Sequence, residues 1–232
     1  MKKILLSLLT ILTFTSMITA QMTEGYVKME ITEATSDDEQ MAMGLAMLKG
    51  AVTEIFFKGD QHVSKMDMMG GMVKTTNLIN KKDNSMDMLM DAMGSKIWVN
   101  SKLDEAQDQG QEAIKNAKIT YDKADTKEIM GHKSYKFMIS MPDMQGMSVT
   151  GYATDEIKTD ANVIQGMNGL KLEGFPLQFT VVNPQMKMTM QTTDIKEAVD
   201  AKVFEISTEG YTKMTMEEFS KSMGGMGGGL GF

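Results

Sequence analysis

The stretch AVTEIFFKGDQHVSKMDMM, residues 51–69, decides the fold. On either side of Gly59-Asp60 the apolar side chains fall on every second position. That period marks a half-buried strand, and a glycine-aspartate pair between two such runs marks a tight turn. The spacing predicts strands at 51–58 and 61–69, paired as an antiparallel hairpin.

The same rhythm continues outward in both directions. Upstream, Tyr26-Val-Lys-Met-Glu-Ile31 alternates with Val27, Met29 and Ile31 on one side. Downstream, runs at 72–80, 85–90 and 96–100 follow at hairpin spacing, after breaks at Gly70-Gly71 and Lys81-Lys-Asp-Asn84. Further strands are predicted at 118–123, 133–140, 147–153, 177–182, 186–193 and 202–206. Ser36-Asp-Asp-Glu39 reads as a capping box, which opens a helix at 37–49 closed by Gly50. Ser101-Lys-Leu-Asp104 opens a second helix over 102–117, and Thr215-Met-Glu-Glu218 caps a third that ends near Ser222. Residues 155–172 fit neither period. The pattern predicts a mainly β, α+β protein: an antiparallel meander with a few helices covering one face.

The chain opens MKKILLSLLTILTFTSMITAQ. Lys2 and Lys3 precede a short apolar run, and small Ala20 closes a cleavage-like site. This reads as a secretory signal peptide at 1–20. It leaves one domain at 21–222 and a flexible glycine-rich tail at 223–232. No later run is apolar for the ~20 residues of a membrane helix. The expected product is exported, to the periplasm or the outer-membrane periphery, and is not a transmembrane protein. There is no cysteine, so thiol redox chemistry and thiolate metal sites are excluded. The net charge is −7, and losing the leader lysines makes it more negative. That balance argues against nucleic acid and anionic lipid heads as partners.

Catalysis needs a recognisable set of groups. The sequence has two histidines, His62 and His132, and none of the G-x-S-x-G, H-E-x-x-H or Walker patterns. Most carboxylates alternate with apolar residues, as solvent-facing strand positions do. The reading is a non-enzymatic protein with no cofactor.

Methionine is the compositional outlier, with 28 in 232 residues. Strand parity puts Met66 with Met68, Met86 with Met88 and Met90, and Met186 with Met188 and Met190. Phe179 extends such a wall in phase with Leu177 and Val181. Three readings stand. Methionine fills irregular cores in place of leucine. It also lines adaptable apolar sites, which would make this wall a binding face for lipid or another apolar small molecule. Thioethers also favour Cu(I) and Ag(I), and His62 shares parity with Met66 and Met68 as a candidate metal set.

The second half carries a resemblance. Ile129-Met-Gly-His-Lys-Ser-Tyr-Lys-Phe137, Gly151-Tyr-Ala-Thr-Asp-Glu-Ile157, Gly169-Leu-Lys-Leu-Glu-Gly-Phe-Pro-Leu177 and Val203-Phe-Glu-Ile-Ser-Thr-Glu-Gly-Tyr-Thr-Lys-Met214 follow in order. Over about residues 118–215 this resembles an exported domain family of unknown function common in Bacteroidota. The chain departs from it at His132, Ser134 and Ser207, where relatives often carry tyrosine, cysteine and proline. The family is similar in fold to the periplasmic carrier of outer-membrane lipoproteins. The resemblance implies a long curved antiparallel sheet, a half-open barrel, with helices at 37–49 and 102–117 on its concave side. It also implies an apolar cavity for acyl chains, with other envelope proteins as possible partners. It transfers no catalytic residue.

Overall fold

A computed structural model describes residues 21–105, 114–144, 146–161, 163–164 and 170–225. The expected signal peptide and most of the expected tail lie outside these residues, as does the middle of the 102–117 helix. At its ends, residues 103–105 and 114 are helical.

Twelve strands form one long, open, curved sheet. In chain order they are β1 (Glu24–Thr35), β2 (Val52–Lys58), β3 (Gln61–Met68), β4 (Val73–Asn80), β5 (Ser85–Ala92), β6 (Ser95–Lys102), β7 (Lys118–Ile129), β8 (His132–Met141), β9 (Met147–Thr154), β10 (Phe175–Val182), β11 (Lys187–Lys196) and β12 (Thr212–Met214). Their order across the sheet is β12-β6-β5-β4-β3-β2-β1-β11-β10-β9-β8-β7. The hairpin at the heart of the sequence forms with Lys58 opposite Gln61. Two register shifts interrupt the β1–β11 pairing: at Lys28/Met29 the extra residue is Thr193 on β11, and at Ile31/Glu33 it is Thr32 on β1. Bulges of this kind bend a strand and deepen its twist, which fits the curvature of the sheet.

Two expectations change. The sheet is mixed rather than wholly antiparallel, because β12 pairs parallel with β6. The predicted strand at 202–206 is instead a 3-10 turn, Ala201–Phe204, capped by the Asp200 side chain. After β11 the chain must travel from mid-sheet to the β6 edge, and this turn is part of that passage. It rests on β3, and the Lys96 ammonium sits 5.6 Å from the Tyr211 ring centre. Val63, Leu89 and Lys96 share this outer face by register, and Val63 and Leu89 are buried there.

Two α-helices complete the described fold. α1 (Glu39–Ala46) is capped by Asp38, whose carboxylate accepts from the Met41 N–H at 2.8 Å. Ser36 was the expected cap; it accepts from the Asp38 N–H and so shapes the approach instead. α2 (Met216–Gly225) follows the predicted box: the Glu218 carboxylate accepts from the Thr215 N–H at 2.8 Å, and the Thr215 hydroxyl accepts from the Glu218 N–H at 3.2 Å.

The main core lies on the opposite, inner face. Val27, Met29, Ile55, Phe57, Phe137 and Leu177 fill it from β1, β2, β8 and β10. Described residues of the β9–β10 connection, where 155–172 fit neither period, close over this part. Ile157, Ala161, Val163 and Ile164 are buried in the same cluster. Polar ties hold the connection's ends. The Lys158 N–H donates to the Met22 carbonyl at 2.8 Å, and the Glu173 N–H donates to the Tyr121 hydroxyl at 2.8 Å. Lys81 also pairs with Asp160. Leu48 beside α1, and Ile114 and Ala117 at the far end of the expected 102–117 helix, pack against the same cluster.

Candidate functional site

Strand pairing fixes which side chains share the inner face of β3–β6. Four rungs cross it. They run His62–Ile79–Met86–Ser101, Ser64–Asn77–Met88–Val99, Met66–Thr75–Met90–Ile97 and Met68–Val73–Ala92–Ser95. Directly opposed residues point the same way, so each rung is a continuous line of neighbours. The methionines of β5 form the middle of this floor, flanked by the aliphatic and small polar residues of β4 and β6.

The same face continues onto β11 and β10. There Met190 lies opposite Phe179 and Ile31, and Met188 lies opposite Val181. Met186 precedes β11 and is half-buried. The expected methionine wall is therefore one face by register, yet it divides by burial. Phe179 and Met190 are 1% and 4% exposed and belong to the sealed core, with Met68. Met66 and Met188 pack against that core from partly open positions. Met86, Met88 and Met90 stay half-buried and lie outside the core cluster. Parity exposed the shared face; it carried no signal for where the cover ends.

The edge of the floor opens on a cleft of about 470 Å³ lined by Ser101, Met214 and Met216 together with Glu105, Lys213 and Glu218. No part of the sequence reading pointed to this cleft, because it depends on the non-local pairing of β12 with β6.

His62 stands at one end of the floor, buried between Phe57 and Ile79 in register. Burial, and secondarily the Lys81 charge, lowers its pKa to about 4. It is neutral at pH 7. His62, Met66 and Met68 do share a face. A rise of about 3.3 Å per residue nevertheless spreads His62 and Met68 about 20 Å apart along β3. A single ion with bonds near 2 Å cannot reach both ends. Among the described residues, no three His, Cys, Asp or Glu gather as a ligand set. No described helix is long and apolar enough to cross a membrane.

The fold and this floor define an open, curved-sheet protein with an apolar inner face, half sealed and half accessible. No protein-family model and no curated protein matches the chain. Solved structures share general likeness. An uncharacterized conserved protein from Thermus thermophilus aligns at 8% identity with a TM-score of 0.48, over 84% of this chain and 91% of that one. The Pseudomonas aeruginosa MucA/MucB complex aligns at 9% identity and 0.43, over 81% of this chain and 57% of that one. The Mycobacterium tuberculosis lipoprotein LppX aligns at 9% and 0.36, over 77% and 89%. Scores this low assign no ligand, partner or activity to this chain.

Proposed function

We propose that the chain is a non-enzymatic protein of the cell envelope that takes up lipid or another apolar ligand on the β3–β6 floor. One observation carries the reading. The inner face carries its line of thioethers on past the edge of the buried core cluster, and Met86, Met88 and Met90 stand half-buried there. A purely packing role leaves that boundary without a purpose. Methionine side chains are flexible and polarizable, so such a floor adapts to acyl chains of differing shape. Each methylene removed from water contributes about 0.8 kcal/mol, which lets a long chain bind without a deep specific pocket. Asn77, Thr75 and Ser101 offer polar partners to a headgroup within the same rungs.

The test compares Met88→Lys with Met138→Lys. Met138 is a methionine on the outer face of β8, 46% exposed, and serves as a matched control. Uptake of a fluorescent fatty acid from solution is the readout. Met88→Lys is expected to weaken uptake about tenfold or more, since it sets a charge in the ligand's path. Met138→Lys is expected to bind as the unaltered chain does. Equal affinities in both variants would remove the floor from the account.

A further inference from the structure

Most of the exposed methionines gather at one end of the sheet. β1, β3 and β5 leave the sheet, and β2, β4 and β6 enter it, at one common end. At that end stand Met41, Met43 and Met47 around α1, Met72 in the β3–β4 turn and Met93 in the β5–β6 turn, all exposed. Met93 and Met43 are 84% and 75% open to solvent. The turns form one structure: the Met93 N–H donates to the Met72 carbonyl at 3.0 Å, and Met47 and Met69 line a shared cleft.

Two of these turns hold methionine where the backbone disfavours it. Met69 and Met93 have φ of 55° and 50°. Met93 is followed by Gly94 at 87°, in a two-residue turn whose first position usually belongs to asparagine, aspartate or glycine. Met69 is half-buried against the core, whereas Met93 stands in water and gains the fold no packing from its position. Met130 before Gly131 repeats the turn at the opposite end of the sheet, so what sets Met93 apart is its place beside Met72.

We propose that this methionine rim docks on a neutral bilayer surface, from which an acyl chain passes to the floor. The proposal rests on the floor as the chain's destination. Three features favour a bilayer over a flat protein partner. The apolar groups sit on separate projecting turns, which suit insertion between headgroups. The charges on the β-turns pair, Lys74 with Asp67 and Lys96 with Asp91, each at 3.9 Å, while Asp37, Asp38 and Glu39 against Lys49 at α1 leave the rim acidic on balance, which suits zwitterionic rather than anionic headgroups. The rim also runs unbroken into the floor, Met68 to Met69, Ala92 to Met93 and Val73 to Met72.

Flotation of the full chain with phosphatidylcholine–phosphatidylethanolamine vesicles, at low and high salt, tests this. The unaltered chain is expected to float at both salts. A Met43→Lys/Met72→Lys/Met93→Lys variant is expected to lose about tenfold or more in partition. Met130→Lys/Met138→Lys, altered at exposed methionines away from the rim, is expected to float normally. Met93→Asn is expected to raise the melting temperature while weakening flotation. A chain that never floats, a rim variant that floats as before, or a Met93→Asn that loses stability would each overturn the proposal. So would a dimer that the rim variant dissolves, because the rim would then join two copies. The rim and the floor fail separately. The rim variant should still take up fatty acid from solution, and Met88→Lys should still float.

Discussion

His62 shows how a strand position and its surroundings set a chemical state. The backbone alternation of β3 turns it to the inner face, and the closed part of the core withdraws water from its ring. The charged form is disfavoured, so its pKa falls to about 4 from 6.5. In the unfolded chain the ring recovers its ordinary affinity for protons. Between about pH 6.5 and pH 4 the unfolded state therefore binds a proton that the folded state refuses. Stability is full above that window and is lost as pH falls through it, by about 3 kcal/mol for this group. His62→Leu should flatten the pH dependence of urea unfolding across the window. An unchanged slope would show that the ring is solvated. Parity made the direction of His62 legible in the sequence. Its burial was not legible, because alternation along a strand says which way a side chain points and nothing of what packs over it.

Hairpin elements were the most legible part of the fold. Period two and turn glycines are local signals, and β2 through β6 follow them within a residue or two. The failures were non-local. β12 has only three residues and exists by pairing with β6 more than a hundred positions away. The run at 202–206 has strand-like residues but crosses other strands instead of pairing with one, so it takes a 3-10 turn. Close packing between elements also leaves a testable mark at Gly151 in β9. A β-carbon there would sit 2.7 Å from Phe179 Cβ and 2.8 Å from Phe137 Cε1, and closer still to the Gln178 carbonyl. Backbone atoms cannot yield as a flexible side chain does. Gly151→Ala should destabilise the chain by about 3 kcal/mol, read from denaturant midpoints. A neutral result would mean that β8, β9 and β10 are not packed at this separation.

At the scale of the whole molecule, one face of one sheet is closed over part of its width and half open over the rest. From β8 through β3 the inner side chains, with Ile157, Ala161, Val163 and Ile164 of the β9–β10 connection, make a dry core. From β3 to β6 the same face stays apolar and half open. The recurrence of Met-x-Met in the sequence disclosed the face and left its use open between packing, apolar ligand and metal. The spread of His62, Met66 and Met68 along β3 disfavours the metal set, and the sealed positions of Phe179 and Met190 assign those two to packing. The proposed function places its ligand on the β5 floor. Native mass spectrometry of the chain purified from a bacterial periplasm tests that most directly, with Met88→Lys beside it. The account predicts heterogeneous adducts of lipid mass on the unaltered chain and their loss in the variant. A bare mass for the unaltered chain, or equal adducts on both, would contradict it.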